Sequence, residues 1–105
     1  MRLNEMMQRA YDNAVNKGFT DETDLEIMAL IHSEVSEATE DLRELEIQWS
    51  ATREDGKPIG VASEIADIII RCGHFCGKHG IDLEAEVLRK LAYNETRPHK
   101  HGKRI

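Results

Sequence analysis

The sequence predicts an all-α protein with four helices, and three observations support this fold class. Apolar residues recur three and four positions apart over most of the chain, which is the spacing that gives a helix one apolar face. Thr23-Asp24-Leu25-Glu26 has the residue order of a capping box, which opens a helix. Turn-favouring residues gather in residues 50–60, around Asp55-Gly56 and Lys57-Pro58. These residues therefore predict one surface loop between two antiparallel helices.

The first two helices are predicted from their apolar residues and their end signals. The apolar positions of the first helix are Leu3, Met7, Ala10, Tyr11, Ala14 and Val15. Gly18 is expected to end that helix, with Phe19 folding back onto it. The second helix opens after Thr23 and is expected to run to about Trp49, because no Gly or Pro interrupts it. Its apolar stripe consists of Ile27, Leu30, Ile31, Val35, Ala38, Leu42 and Leu45.

The third predicted helix, residues 61–79, is the most apolar part of the chain. Ile68-Ile69-Ile70 alone would also suit a buried strand, but the length of the segment favours a helix that Gly80 ends. Its apolar side chains cover most of the circumference, which predicts burial from several sides. Asp82 caps a fourth helix that ends before Arg97-Pro98. The side chains expected to face inward from it are Leu83, Val87, Leu88 and Leu91.

Length and composition restrict the class of protein. The 105 residues predict a single domain, residues 1–105, whose thin core favours a homo-oligomer. The net charge of −6 argues against a nucleic-acid-binding protein. No apolar run reaches membrane-spanning length, the first residues lack the apolar core of a signal peptide, and only two cysteines are present. We therefore expect a soluble cytoplasmic protein that does not bind a membrane.

Two pairs of carboxylates stand within or beside these apolar stripes. Glu34 and Glu37 are three residues apart in the second helix, and Glu64 and Asp67 are three apart in the third. Residues at this spacing share a helix face, and carboxylates buried without a partner are costly. A cation would satisfy all four, and oxygen ligands suit Mg²⁺ or Mn²⁺. The sequence therefore predicts a metal site, with two solvated helix faces as the alternative.

A second group of polar residues lies near the C-terminus. Lys90, Asn94 and Arg97 follow at spacings of four and three, on one face of the fourth helix. Residues 99–104 are basic and contain no acid. Cationic side chains and an amide suit phosphate oxygens and sugar hydroxyls. A metal site together with such a group is the combination that a polyphosphate substrate requires.

In their order along the chain, these motifs resemble those of the MazG-like all-α nucleoside triphosphate pyrophosphohydrolases. The resemblance covers roughly residues 25–105 and includes Glu34-x-x-Glu37, Glu64-x-x-Asp67, residues 90–98 and His101-Gly102-Lys103. It implies a four-helix MazG-like fold, a helical bundle that dimerisation completes, in a homodimer or a dimer of dimers. It also implies hydrolysis of (deoxy)nucleoside triphosphates to monophosphate and pyrophosphate, with Mg²⁺ on the catalytic residues Glu34, Glu37, Glu64 and Asp67. Lys90, Asn94 and Arg97 would bind the substrate.

Several alternatives remain open at this point. A phosphoribosyl-ATP pyrophosphatase or a dimeric dUTPase-like activity suits the same motifs, and a non-catalytic helical dimer that binds nucleotide or protein would also carry them. A ferritin-like di-iron protein is less well supported, because neither motif contains Glu-x-x-His. Ser33 stands where many MazG-like proteins have a further glutamate, so the general base is not assigned.

Overall fold

Four helices form most of the structure, a computed structural model that describes residues 1–102 and residue 104, with 101 and 102 described by their backbone alone. The helices are α1 (Leu3–Asn16), α2 (Asp24–Leu42), α3 (Val61–His79) and α4 (Leu83–Glu95). A short hairpin, β1 (Ala51–Thr52) and β2 (Pro58–Ile59), lies between α2 and α3, and a 3₁₀ turn spans His99–Gly102. The predicted all-α class is thus confirmed, and residues 68–70 are helical.

Hydrogen bonds confirm the predicted starts of α2 and α4 and the predicted fold-back after α1. The Thr23 hydroxyl accepts from the Glu26 backbone N–H at 3.1 Å, and Glu26 accepts from the Thr23 N–H at 3.0 Å. Asp82 accepts from the Ala85 N–H at 3.0 Å at the start of α4. The Phe19 N–H donates to the Ala14 carbonyl at 2.9 Å, so the chain does fold back after α1.

Helix α2 is shorter than the sequence predicts, ending at Leu42 instead of about Trp49. Because Glu37 of α2 lies beside Glu64 of α3, the start of α3 at Val61 lies opposite the last turn of α2. Beyond Leu42, α3 therefore offers no surface against which a longer α2 could pack. Packing rather than propensity stabilises most helices, and Leu45 is fully exposed. Val35 and Leu42 of the predicted stripe are exposed as well.

The loop predicted for residues 50–60 contains the two-stranded hairpin. Ala51 pairs with Ile59 and Thr52 with Pro58 in an antiparallel register. The Arg53 N–H donates to the Lys57 carbonyl at 2.8 Å, which closes the turn at Asp55-Gly56. Strands of two residues are too short for an alternating pattern, so only the turn was visible in the sequence. The hairpin brings Lys57 and Pro58 towards the helices.

Helix α1 packs closely against α3 because two glycines remove side chains from the contact. A Cβ at Gly73 would lie 2.7 Å from the Cβ of Ala10, and a Cβ at Gly77 would overlap Tyr11. Both glycines are helical and four residues apart, so they lie on one face of α3. Alanine at either position would push the two helices apart.

Helices α2 and α3 are antiparallel, as predicted. Lys78, near the end of α3, binds Asp24 at the start of α2, whereas Arg71 in the middle of α3 binds Glu34 in the middle of α2. The core is thin, and its buried apolar side chains are Met7, Ile27, Ala38, Val61 and Cys76. The helices of the described residues include none with the length and apolar character needed to cross a bilayer.

Helix α4 differs from the prediction in the direction of its apolar side chains. Val87, Leu88 and Leu91 are exposed, so the expectation that they face inward is wrong for the single chain, and Leu83 is only half-buried. The reason is that α4 meets α1 through polar contacts at its first turn. Asn4 Nδ2 donates to Asp82 Oδ1 at 2.8 Å, and Arg2 Nη2 donates to Glu84 Oε2 at 2.7 Å.

Candidate functional site

A pocket of about 420 Å³ lies between α1, α2 and α3. This volume is in the range of pockets that take small molecules. Its lining combines acidic and basic side chains with apolar ones from all three helices and from the hairpin. The lining residues are Ala10, Asn13, Ala14, Phe19, Glu22, Leu30, Glu34, Glu37, Lys57, Pro58, Glu64, Asp67, Ile70, Arg71 and His74.

Three of the four predicted metal ligands form one cluster in this pocket. One carboxylate oxygen from each of Glu34, Glu37 and Glu64 lies within 4.8 Å of the other two. Glu34 and Glu37 share a face of α2, and the antiparallel arrangement places Glu64 of α3 beside them. Asp67 lines the same pocket one turn further along α3 but is not part of this cluster.

Glu34 is the most buried member, with 6% of its surface exposed. Its Oε1 accepts a hydrogen bond from Arg71 Nε at 2.9 Å. Burial acts to raise the pKa of Glu34, but the hydrogen bond and the charge of Arg71 outweigh it, so the pKa lies below its ordinary value. Glu34 is therefore charged at neutral pH, and Arg71 compensates only one of its two oxygens.

Glu64 and Asp67 show the opposite shift. Burial, followed by the neighbouring carboxylates of Glu37 and Glu34, raises the pKa of Glu64 from 4.5 to about 7. Burial and the charge of Glu34 raise the pKa of Asp67, although the charges of Arg71 and Lys57 act against this rise. The pocket thus contains more negative charge than its own two cations neutralise. Such an imbalance is typical of functional sites.

Two oxygens in the cluster indicate what the pocket can hold. Glu34 Oε2 and Glu64 Oε2 are buried and make no hydrogen bond to any described residue. Leaving an acceptor buried without a donor is costly, because the group has lost its bonds to water. A divalent cation would satisfy both oxygens and offset the repulsion among the carboxylates. The metal-ligand atoms that the cluster offers are all carboxylate oxygens, which fits Mg²⁺ or Mn²⁺.

The predicted substrate-binding residues are not brought to this pocket within one chain. Lys90, Asn94 and Arg97 lie on α4 and just after it, and none of them lines the pocket. Lys90 Nζ and Arg97 Cζ each lie 5.7 Å from the centre of the Tyr93 ring. Of the basic tail, Lys103 and the side chain of His101 lie outside the described residues.

The structure adds pocket residues that the sequence did not single out as site residues. Arg71 is on the same edge of α3 as Glu64 and Asp67, and that shared face was a usable signal. Lys57 lies just before β2 and Glu22 just before α2. Nothing near them in the sequence relates them to the carboxylates. Their position depends on how the hairpin and the α1–α2 connection fold, which the spacing of residues does not reveal.

No protein-family model, no curated protein and no solved structure matches this chain.

Proposed function

We propose that the protein is a Mg²⁺-dependent hydrolase that converts (deoxy)nucleoside triphosphates to monophosphate and pyrophosphate. The observation that carries this proposal is the cluster of Glu34, Glu37 and Glu64, which contains two buried oxygens without donors beside two cationic side chains. The order of the motifs, which resembles that of the MazG-like pyrophosphohydrolases, supports the same reaction. Mn²⁺ is an acceptable substitute for the same oxygen ligands.

In this proposal the carboxylates and the cations have separate roles. Glu34, Glu37, Glu64 and Asp67 hold the metal, which when bound offsets phosphate charge and activates water. Lys57 lines the pocket close enough to Asp67 for its charge to lower the pKa of that carboxyl, and it contributes a positive charge for phosphate oxygens. Arg71 keeps Glu34 ionised and fixes its orientation through the bond to Oε1. The chain itself thus supplies carboxylates for the metal and, in Lys57, a positive charge for the phosphates.

A homodimer or a dimer of dimers would bring α4 into this reaction. Leu88 and Leu91 are 60% and 51% exposed on α4, and Ile65 and Ile69 are exposed on α3. Apolar side chains grouped on helix faces favour association. In such an assembly Lys90, Asn94 and Arg97 would contact nucleotide in the pocket of a neighbouring subunit. The helical bundle of the MazG-like fold would then be completed between chains.

The first experiment is release of monophosphate and pyrophosphate from a panel of nucleoside triphosphates, with Mg²⁺, with Mn²⁺ and with EDTA. We expect turnover that depends on the metal. Mixing two inactive variants then tests the shared site. If pockets use α4 of a neighbour, Glu64→Gln and Arg97→Ala subunits should recover activity when mixed, because one mixed site contains neither change. Absence of any hydrolysis by the wild-type protein would refute the enzyme proposal.

A second candidate function has one specific observation in its favour. The Arg71–Glu34 pair already neutralises part of the cluster within the chain, so a stable protein without metal is physically reasonable. In this alternative the chain is a non-catalytic helical dimer that binds nucleotide or a protein. Nucleotide binding without pyrophosphate release, in the same assay, would favour it over the hydrolase.

A further inference from the structure

The pocket contains a third buried carboxylate oxygen without a donor, Oε2 of Glu22. The other two such oxygens in the described part of the chain belong to Glu34 and Glu64 in the acidic cluster. Glu22 is not a member of that cluster, so a cation shared by the three clustered carboxylates would leave it unsatisfied. Glu22 Oε2 would therefore need a hydrogen-bond donor from a different part of a bound ligand.

Glu22 precedes α2 and lies beside the end of α3 that is remote from the cluster. Its backbone carbonyl accepts from Lys78 Nζ at 3.0 Å, near the end of α3, whereas Glu64 lies in the first turn of α3. Lys78 follows Glu64 by fourteen positions, which correspond to about 21 Å along a helix. Lys78 also donates to Asp24 Oδ1 at 2.8 Å, so it holds both the Glu22 backbone and the start of α2 against the end of α3.

The groups around Glu22 suit a flat heterocycle. Phe19 and His74 line both the main pocket and a small adjoining cavity, and Glu22 lines both as well. Phe19 is 52% exposed, and its ring is available for stacking. A carboxylate accepts hydrogen bonds and cannot donate them. This end of the pocket therefore favours a ring that presents an N–H group.

We propose that Glu22 selects, at the end of the pocket remote from the acidic cluster, nucleobases that carry an exocyclic amino group. This inference deepens the proposed function, on which it rests, by naming the substrate class. An amino group would donate to Glu22 Oε2 and satisfy it. A base with a carbonyl oxygen at the same position would place two acceptors against each other, which is unfavourable. Cytosine is therefore preferred over uracil, which has a carbonyl oxygen in place of the amino group and a ring N–H in place of the adjacent acceptor nitrogen.

The test compares dCTP with dUTP in the wild-type protein and in Glu22→Gln. We expect the wild type to favour dCTP at least tenfold in kcat/KM. In Glu22→Gln the preference should fall below about threefold, because an amide both donates and accepts. Asp21→Asn is the matched control, since Asp21 is adjacent and exposed and does not line the pocket. The control should keep the wild-type preference.

Binding of dCMP and dUMP, measured by titration calorimetry without turnover, separates this inference from the proposed reaction. If no triphosphate is hydrolysed but dCMP binds tenfold tighter than dUMP in a Glu22-dependent manner, the reaction is wrong and the base selection stands. If triphosphates are hydrolysed and Glu22→Gln keeps the wild-type preference, the base selection is wrong and the reaction stands. Equal or absent binding of both monophosphates would also overturn the base selection.

Discussion

The pocket between α1, α2 and α3 and the surface of α4 carry similar residues in different surroundings. Each presents charged side chains at helical spacing next to apolar ones. On α2 and α3 the charged groups meet within the chain, and Glu34 is buried against Arg71. On α4, Lys90 lies on the surface, and Leu88 and Leu91 are exposed beside it. Spacing therefore predicts which residues share a face, but it does not predict whether that face finds a partner in the same chain.

The largest effect should come from neutralising one ligand of the acidic cluster. Glu64→Gln keeps the size of the side chain and removes its charge, so it should weaken the proposed metal site and lower the proposed turnover by a factor of about 100 or more. Glu44→Gln is the control, because Glu44 is exposed and does not line the pocket. Steady-state pyrophosphate release measures both variants. Full activity in Glu64→Gln would mean that the cluster is not the metal site.

The next prediction concerns the exposed face of α4. Leu88→Lys should leave the folded monomer nearly unchanged, because the side chain is already 60% exposed, but it should halve the mass of a dimer. Glu54→Lys, on the exposed turn of the hairpin, adds positive charge away from α4 and should leave the mass unaltered. Light scattering at micromolar concentration gives the masses. A wild-type protein of 12.0 kDa in solution would refute the predicted association.

A smaller effect is expected from the ion pair that belongs to the pocket. Arg71→Met leaves Glu34 buried without its cation and should lower the free energy of unfolding by about 2 kcal/mol. This figure is below the usual cost of breaking a buried pair, because the Arg71 side chain is 35% exposed. Arg43→Met breaks the exposed pair with Glu40 and should cost less than about 0.5 kcal/mol. Urea unfolding without metal compares the two losses, and equal losses would contradict a special role for the buried pair.

The smallest effect is a pH dependence of stability in the metal-free protein. The folded pKa of Glu64, about 7, is above its ordinary value of 4.5, so the folded state binds this proton more tightly than the unfolded state. The contribution of Glu64 to stability must then decrease as pH rises from about 4.5 to about 7. Because Glu64 is only partly buried, Glu64→Gln should therefore stabilise the protein by no more than about 1 kcal/mol at pH 8 and by less at pH 5. Urea unfolding in EDTA at both pH values, with Glu44→Gln as control, tests the sign; a gain that is equal at both would contradict it.

Much of the local structure could be predicted from the sequence because it depends on short-range chemistry. Thr23, Asp82 and Gly80 act within a few residues of their positions, so the starts of α2 and α4 and the end of α3 could be predicted. The same holds for the face shared by Glu34 and Glu37. The end of α2 was mispredicted because it depends on where α3 begins in space. Lys57 and Glu22 were missed because a hairpin and an interhelical connection place them.

The glycines of α3 were also not recognised, although the packing of α1 depends on them. A glycine inside a helix normally lowers the helix propensity, and only the neighbouring Ala10 and Tyr11 reveal why Gly73 and Gly77 are needed. This information is tertiary. It explains why the sequence predicted the elements better than it predicted the walls of the pocket.

The two-residue strands of the hairpin have a consequence for how the pocket tolerates changes in chain length. Lys57 immediately precedes β2, whose Pro58 is paired with Thr52. Successive side chains of a strand point to opposite sides, so a slip of one residue would turn the ammonium group away from the carboxylates. An insertion in the turn between Arg53 and Lys57 that shifts the register would therefore move the Lys57 charge away from the pocket, and would not only lengthen the loop. The register of this two-stranded sheet therefore sets the position of the Lys57 ammonium group.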